Sequence, residues 1–337
     1  MNSRERLVAA VRGEPVDRVP VFPLLMRLAA DRAGMSYCRY ATDGRAMADA
    51  QLLAAARYGL DAVTACSDAF RISADLGGEM VYPEAAPPHL AAPLVASADD
   101  VARLPRPDPL RRDSRMADRA LAVREMARGA RGELAVLGWV DMPFAEACSV
   151  CGVQPFMMMM VDAPELAHRL LDHLGAIVID FALAQVHAGA RMIGAGDAAA
   201  SLVSPGMYRG FALPYEQRVI RAVHDEGSLV KLHICGNTTK LLPDMVDAGA
   251  DLYNVDHMVS LERAREVYGE RGVCFKGNLD PVAQIMQATP DECHRQAREA
   301  IRVGTAGGVR YMLSAGCEVP AETPDEVFEA FCDAAAA

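Results

Sequence analysis

Eight short apolar runs, separated by longer stretches of helical character, constrain this chain more than any other feature. They are 19–25 (VPVFPLL), 61–66 (DAVTAC), 134–140 (LAVLGWV), 191–197 (RMIGAGD), 229–235 (LVKLHIC), 251–257 (DLYNVDH), 272–278 (GVCFKGN) and 309–317 (VRYMLSAGC). Most are continuously apolar rather than alternating, the pattern of parallel strands covered on both faces. Parallel neighbours need a crossover, and segments such as 164–189 and 205–227 can supply it as helices, the latter stopping at Gly227. Thr289-Pro290-Asp291-Glu292 and Thr323-Pro324-Asp325-Glu326 read as helix starts, with Thr as N-cap, Pro next and acids in the first turn. Eight alternations predict an α/β fold, a closed (β/α)8 TIM barrel. A doubly wound open sheet is the alternative, but no run is followed by a G-x-G-x-x-G turn. The proline-rich 82–94 and 104–113 break the alternation and predict an irregular lid-like excursion. No repeat or linker divides the chain, so 1–337 is expected to form one barrel domain.

The net charge of -11, with no isolated Lys/Arg cluster, argues against a nucleic-acid partner. No run of about 18 uninterrupted apolar residues predicts a membrane span, and the charged, helical start does not resemble a signal peptide. A cytoplasmic location is expected. The 9 cysteines are then reduced thiols, available for packing, metal ligation or nucleophilic chemistry.

Barrel enzymes carry their chemistry at the C-terminal ends of the strands. Here the later runs end in polar residues: Asp197, His233 and Cys235, Asp256 and His257, Asn278 and Asp280, then Cys317 and Glu318. On a strand, residues i and i+2 share a face, so His233 and Cys235 can point together into the mouth. Imidazole plus thiolate suits Zn²⁺, and a catalytic zinc needs a third protein ligand. Cys317, at the end of the eighth run, is the candidate. An isolated H-x-C is equally the signature of a buried cysteine beside a hydrogen-bonded histidine, and the residues alone leave both readings open.

Other features carry weaker signals. Cys148 and Cys151 have C-x-x-C spacing without a redox βαβ context, so structural thiols are expected. Met157 to Met160 is adaptable apolar packing or the lining of a flat-ligand pocket. Asp68 could face the mouth or cap a helix, and His257 could contact a metal, a substrate or only its own loop.

RERLVAAVRGEPVDRVPV, SPGMYRGFALPYEQRVIRAVH and KGNLDP resemble segments of the uroporphyrinogen decarboxylase superfamily. LHICGNTTKLLPDMVDAGAD and SAGCEVPAETPDE resemble its corrinoid-linked methyltransferase branch, which includes the methylcobamide:coenzyme M methyltransferases. The resemblance implies a (β/α)8 barrel with zinc held by His233, Cys235 and Cys317. It implies methyl transfer between a corrinoid (methylcobalamin) and a small methyl donor or thiol acceptor. In the thiol version zinc holds the acceptor as a thiolate, which attacks the methyl carbon of methyl-Co(III) while Co(I) leaves. No D-x-H-x-x-G signature occurs, so the corrinoid is expected on a partner protein. Asp197 is the candidate catalytic or metal-proximal polar group; Asn278 and Asp256 are candidate substrate contacts. The decarboxylases of the superfamily need no metal. Against their pattern, Arg27 and Arg32 only loosely match the paired-arginine motif, Asp68 could match the aspartate, and Cys317 stands where a histidine is expected. A metal-free decarboxylase acting on a tetrapyrrole, and a non-catalytic corrinoid- or tetrapyrrole-binding barrel, are the alternatives.

Overall fold

Seven parallel strands form one curled sheet in the computed structural model, which describes residues 1–308 and 310–336. In chain order the strands are β1 (Ala62–Thr64), β2 (Met80–Val81), β3 (His89–Leu90), β4 (Ala135–Asp141), β5 (Met192–Gly196), β6 (Leu229–His233), β7 (Leu252–Asn254), β8 (Cys274–Leu279) and β9 (Tyr311–Ala315). The sheet runs β1-β4-β5-β6-β7-β8-β9, and β2 and β3 form a small antiparallel hairpin outside it. Val309, where the last apolar run was expected to begin, and Ala337, the expected domain end, lie outside the described residues.

The eighth stave is the first apolar run, and it is not a regular strand. Pro20 and Pro23 lack the N–H that a two-sided ladder requires. The segment instead makes single parallel bridges, Val21 to Leu313 and Leu24 to Glu318, and accepts one bond on the other side, from Asp61 N–H to the Val21 carbonyl (3.0 Å). Asp61 completes the closure: its buried carboxylate accepts from the Val21 N–H (2.7 Å), Arg18 (2.8 Å) and Arg6 (2.5 Å).

Inward-facing side chains follow the two-residue period. Phe22, Ala62, Leu137, Met192, Leu252, Cys274 and Met312 fill the lower layer, and Leu7, Ala10 and Val11 of helix Ser3–Arg12 plug it from below. Burying each large aliphatic side chain contributes about 1.5–3 kcal/mol. Trp139 fills the next layer because Gly194 opposite it has no side chain; a Cβ there would lie 2.5 Å from the indole.

Two helix starts behave differently. Thr289 forms a complete capping box with Glu292 on helix Pro290–Gly304. Helix Asp325–Asp333 has no side-chain cap, because the buried Thr323 hydroxyl makes no hydrogen bond and Asp325 turns to Arg32, Arg57 and Tyr58. The expected helix 205–227 breaks into Pro205–Phe211 and Leu213–Asp225, with Pro214 in the second turn start and Gly227 at positive φ beyond it. Helix Pro164–His187 is long and apolar enough to cross a membrane, but 56% of its apolar window is buried, with Leu170, Leu174, Ile177 and Phe181 in the barrel's outer core.

Candidate metal centre

The mouth of the barrel brings together three residues far apart in sequence. His233 ends β6, Cys235 follows two residues later, and Cys317 follows two residues after β9. One ligand atom from each lies within 4.8 Å of the others, and among the described residues this is the one His/Cys/Asp/Glu group with that geometry. His233 Nε2 is 2.9 Å from Cys235 Sγ, and the two sulfurs are 3.8 Å apart. The paired strand ends at His233, so Cys235 belongs to the following turn rather than to the strand itself.

The surroundings hold these groups in place. His233 Nδ1 faces the Asn254 carbonyl (3.3 Å), which directs Nε2 to the sulfurs. Asn254 Nδ2 donates to the Gly316 carbonyl (3.0 Å), tying β7 to the turn that carries Cys317. Asp256 accepts from the Gly236 N–H (2.9 Å), bracing the turn that carries Cys235. The hydrogen bond with Cys235 lowers the Cys317 thiol although burial opposes it, His233 adding to the effect, and the same pairing with burial pushes the Cys235 thiol up. A pair of sulfurs and a nitrogen so close to one another is the donor set of a borderline-soft cation.

Two buried lysines lie beneath. Lys231, two residues before His233 on β6, places Nζ 4.3 Å from the centre of the Trp139 ring, and burial lowers it to about 8. Lys276 donates to the Phe22 carbonyl (2.6 Å) and Ser314 (3.0 Å). Lys231 feels the charges of Cys235 and Cys317 above it, whereas burial and the Lys231 charge push Lys276 well below the ordinary lysine value.

The other expected site residues lie elsewhere. Asp197 sends its N–H to the His233 carbonyl (2.9 Å), but its side chain leaves the barrel. Its carboxyl is fully buried near Glu216, and its oxygens find no hydrogen bond of normal geometry. Burial, then the Glu216 charge, pushes Asp197 well above the carboxylate range; burial also raises Glu216 to about 7, although Tyr208 donates to it (2.5 Å). Asn278 spends its amide on the carbonyls of Asp256 (3.2 Å) and Val259 (2.6 Å). Both Asp256 and Asn278 therefore brace mouth turns. His257 stands on the rim between Asp256 (3.1 Å) and Asp280 (3.7 Å). Arg27 and Arg32 pair with Glu322 and Asp325. Cys148 and Cys151 are free, buried thiols that burial raises to values at which they stay protonated. Of the four methionines, Met160 is buried, and Met158 is 51% exposed.

Sequence reasoning missed the opposite wall. Asp141, the last residue of β4, is paired with Arg71, whose side chain is fully buried. Burial raises Asp141 to about 6 despite the Arg71 charge, and burial with the Asp141 charge raises the unpartnered Glu146. Arg115 grips Asp68 with two bonds (2.8 and 2.7 Å), holding it near 2 although burial opposes this. Asp141 directly follows an apolar run, the same signal that marked His233 and Asp197.

The uroporphyrinogen decarboxylase (URO-D) family pattern matches residues 2–337. The chain belongs to the uroporphyrinogen decarboxylase family. Within it, the chain is 29% identical over 324 residues to the methylated-thiol--coenzyme M methyltransferase of Methanosarcina mazei, covering 92% of this chain and 85% of that protein. It is 32% identical over 311 residues to uroporphyrinogen decarboxylase of Xanthomonas campestris pv. campestris, covering 86% and 85%. A solved methyltransferase from Methanosarcina mazei superposes with a TM-score of 0.89 at 26% identity, covering 99% of this chain and 98% of that one. A B12-independent methionine synthase from Shewanella sp. W3-18-1 shares the fold, at a TM-score of 0.55 and 12% identity, covering 86% and 85%.

Proposed function

We propose that this family member is a zinc-dependent methyltransferase, moving a methyl group between a corrinoid on a partner protein and a small thiol or other methyl acceptor or donor. The observation that carries it is the convergence of His233, Cys235 and Cys317 within 4.8 Å at the mouth. The methyltransferase relative and its solved counterpart support the same direction. These three side chains would hold the zinc, which supplies a bound, deprotonated sulfur nucleophile at neutral pH. His233 is oriented for this by the Asn254 carbonyl, and Asn254 and Asp256 fix the two cysteine turns. The buried Lys231, which feels both Cys235 and Cys317, offsets part of the negative charge of the sulfurs.

Decarboxylase relatives are similar over comparable lengths. Against that activity stands Cys317, which completes the three-residue cluster where the decarboxylase pattern is expected to carry a histidine. The test mixes zinc-loaded protein with methylcobalamin and 2-mercaptoethanol and follows the loss of methylcobalamin absorbance. Protein-dependent demethylation that disappears on chelation is expected. Decarboxylation of uroporphyrinogen by fully metal-free protein, without methyl transfer, would sink the proposal.

A further inference from the structure

On the β1–β5 side of the mouth lies a cavity of about 390 Å³, lined by Phe70, Asp141, Ala145, Cys148, Ser149 and Ala198 among others. Its position follows from strand register. Asp141 of β4 pairs with Gly196 of β5, and Gly196 pairs with His233 of β6. Neighbouring strands lie about 4.8 Å apart, so Asp141 and His233 stand about 10 Å from each other on one level. Gly196 between them has no side chain, and a Cβ there would meet Asp141 Oδ1 at 3.0 Å. The Asp141 carboxylate therefore leans over an open step toward the candidate metal centre.

The charged side chain that this cavity exposes is a carboxylate, Asp141, its partner Arg71 being fully buried. Among its lining residues there is no lysine or arginine, and Asp141 is the one ionisable carboxylate. Of the nearby guanidinium groups, Arg71 bonds Asp141 through Nη2 and keeps Nε and Nη1 buried without a partner, and Arg115 is bound to Asp68. Arg71 is sealed behind the wall with no exposed surface, and Lys231 and Lys276 lie a layer below, fully buried. Asp256 and Asp280 add carboxylates at the rim, with His257 between them. A substrate whose far end is a sulfonate or carboxylate meets no free counter-ion here. One whose far end is an ammonium meets Asp141.

We propose that, on the zinc methyltransferase proposal above, the sulfur substrate carries a cationic group, an aminothiol or its methylated thioether, with Asp141 as the residue that selects it. This preference is opposite in sign to that of an anionic thiol such as coenzyme M, the substrate named for the Methanosarcina mazei relative.

The experiment uses the whole protein with Co²⁺ in place of zinc and reads the thiolate-to-cobalt charge-transfer band, so binding is measured without turnover. Three thiols on the same two-carbon backbone are titrated: cationic cysteamine, neutral 2-mercaptoethanol and anionic 2-mercaptoethanesulfonate. Cysteamine is expected to bind at least tenfold more tightly than the sulfonate. Because the thiols differ in acidity, the decisive quantity is how that ratio changes between proteins. Asp141→Asn should shrink it several-fold. Ser149→Lys, which leaves the Arg71–Asp141 pair intact and places a cation on the cavity wall, should shrink or reverse it. A sulfonate bound as tightly as cysteamine by the unaltered protein, or a ratio unmoved in both folded variants, overturns the charge selection while leaving the methyltransferase proposal standing. Failure to take up cobalt at all overturns that proposal and this one with it.

Discussion

The two walls of the barrel mouth use polar residues in opposite ways. On the β6–β9 side, His233, Cys235 and Cys317 have few hydrogen-bond partners beyond one another, and their neighbours Asn254 and Asp256 contact backbone, not the sulfurs. On the β1–β5 side, the carboxylates are matched to arginines or enclosed: Asp141 with Arg71, Asp68 with Arg115, Asp197 beside Glu216. Polar residues at strand ends do not by themselves make a site. A site needs donor atoms that converge and are not already satisfied, whereas ion pairs at the same level mainly shape and charge the cavity next to it.

This contrast can be broken at several points. The largest effect belongs to the cysteines: Cys235→Ala or Cys317→Ala should abolish stoichiometric zinc binding while the circular dichroism spectrum stays unchanged, checked by elemental analysis. Retention of zinc in both would remove the distinction between the walls. Asp141→Asn strands a buried guanidinium and should lower unfolding stability by about 3–5 kcal/mol without changing zinc stoichiometry, as read by denaturant titration. Asn254→Ala frees the Cys317 turn and should weaken zinc affinity by about 10–100-fold in a competitive chelator assay, with little effect on global stability.

The smallest effect concerns pH. Glu216 is raised to about 7 in the folded protein, above the ordinary 4.5, and Asp197 is raised in the same direction. The folded state thus favours the protonated acids. The Glu216 contribution is fully present below pH 4.5, is lost as pH rises through about 7, and stays lost above; Asp197 acts in the same direction. Glu216→Gln should remove much of that slope and raise stability at pH 8 by roughly 2 kcal/mol. A variant with the same pH profile as the parent would show that this carboxyl pair is not held protonated by the fold.

Much of the barrel was legible because its parallel strands are buried on both faces and read as uninterrupted apolar runs. The first stave shows the limit: 19–25 is apolar enough for a strand, but its prolines reduce it to isolated bridges. His233 and Cys235 were legible as a pair from their spacing, and Cys317 from its place after the last run. Asp197 was misleading for a periodic reason. It follows Gly196, which points inward, so its own side chain points outward to the helix Leu213–Asp225. Arg71 was invisible because it starts a short helix with no periodic signal, and its importance comes from Asp141, 70 residues away. The engagement of the Asn278 amide with two backbone carbonyls likewise depends on loop geometry that spacing does not encode.

The central claim is that His233, Cys235 and Cys317 form one metal centre. Zinc-edge X-ray absorption on the purified, zinc-reconstituted protein tests it most directly. About one zinc per chain is expected, with two sulfurs and one imidazole nitrogen among its neighbours, and one further position that changes from oxygen to sulfur when a thiol is added. A zinc surrounded by oxygen and nitrogen alone, or the same spectrum after Cys317→Ala, would contradict it.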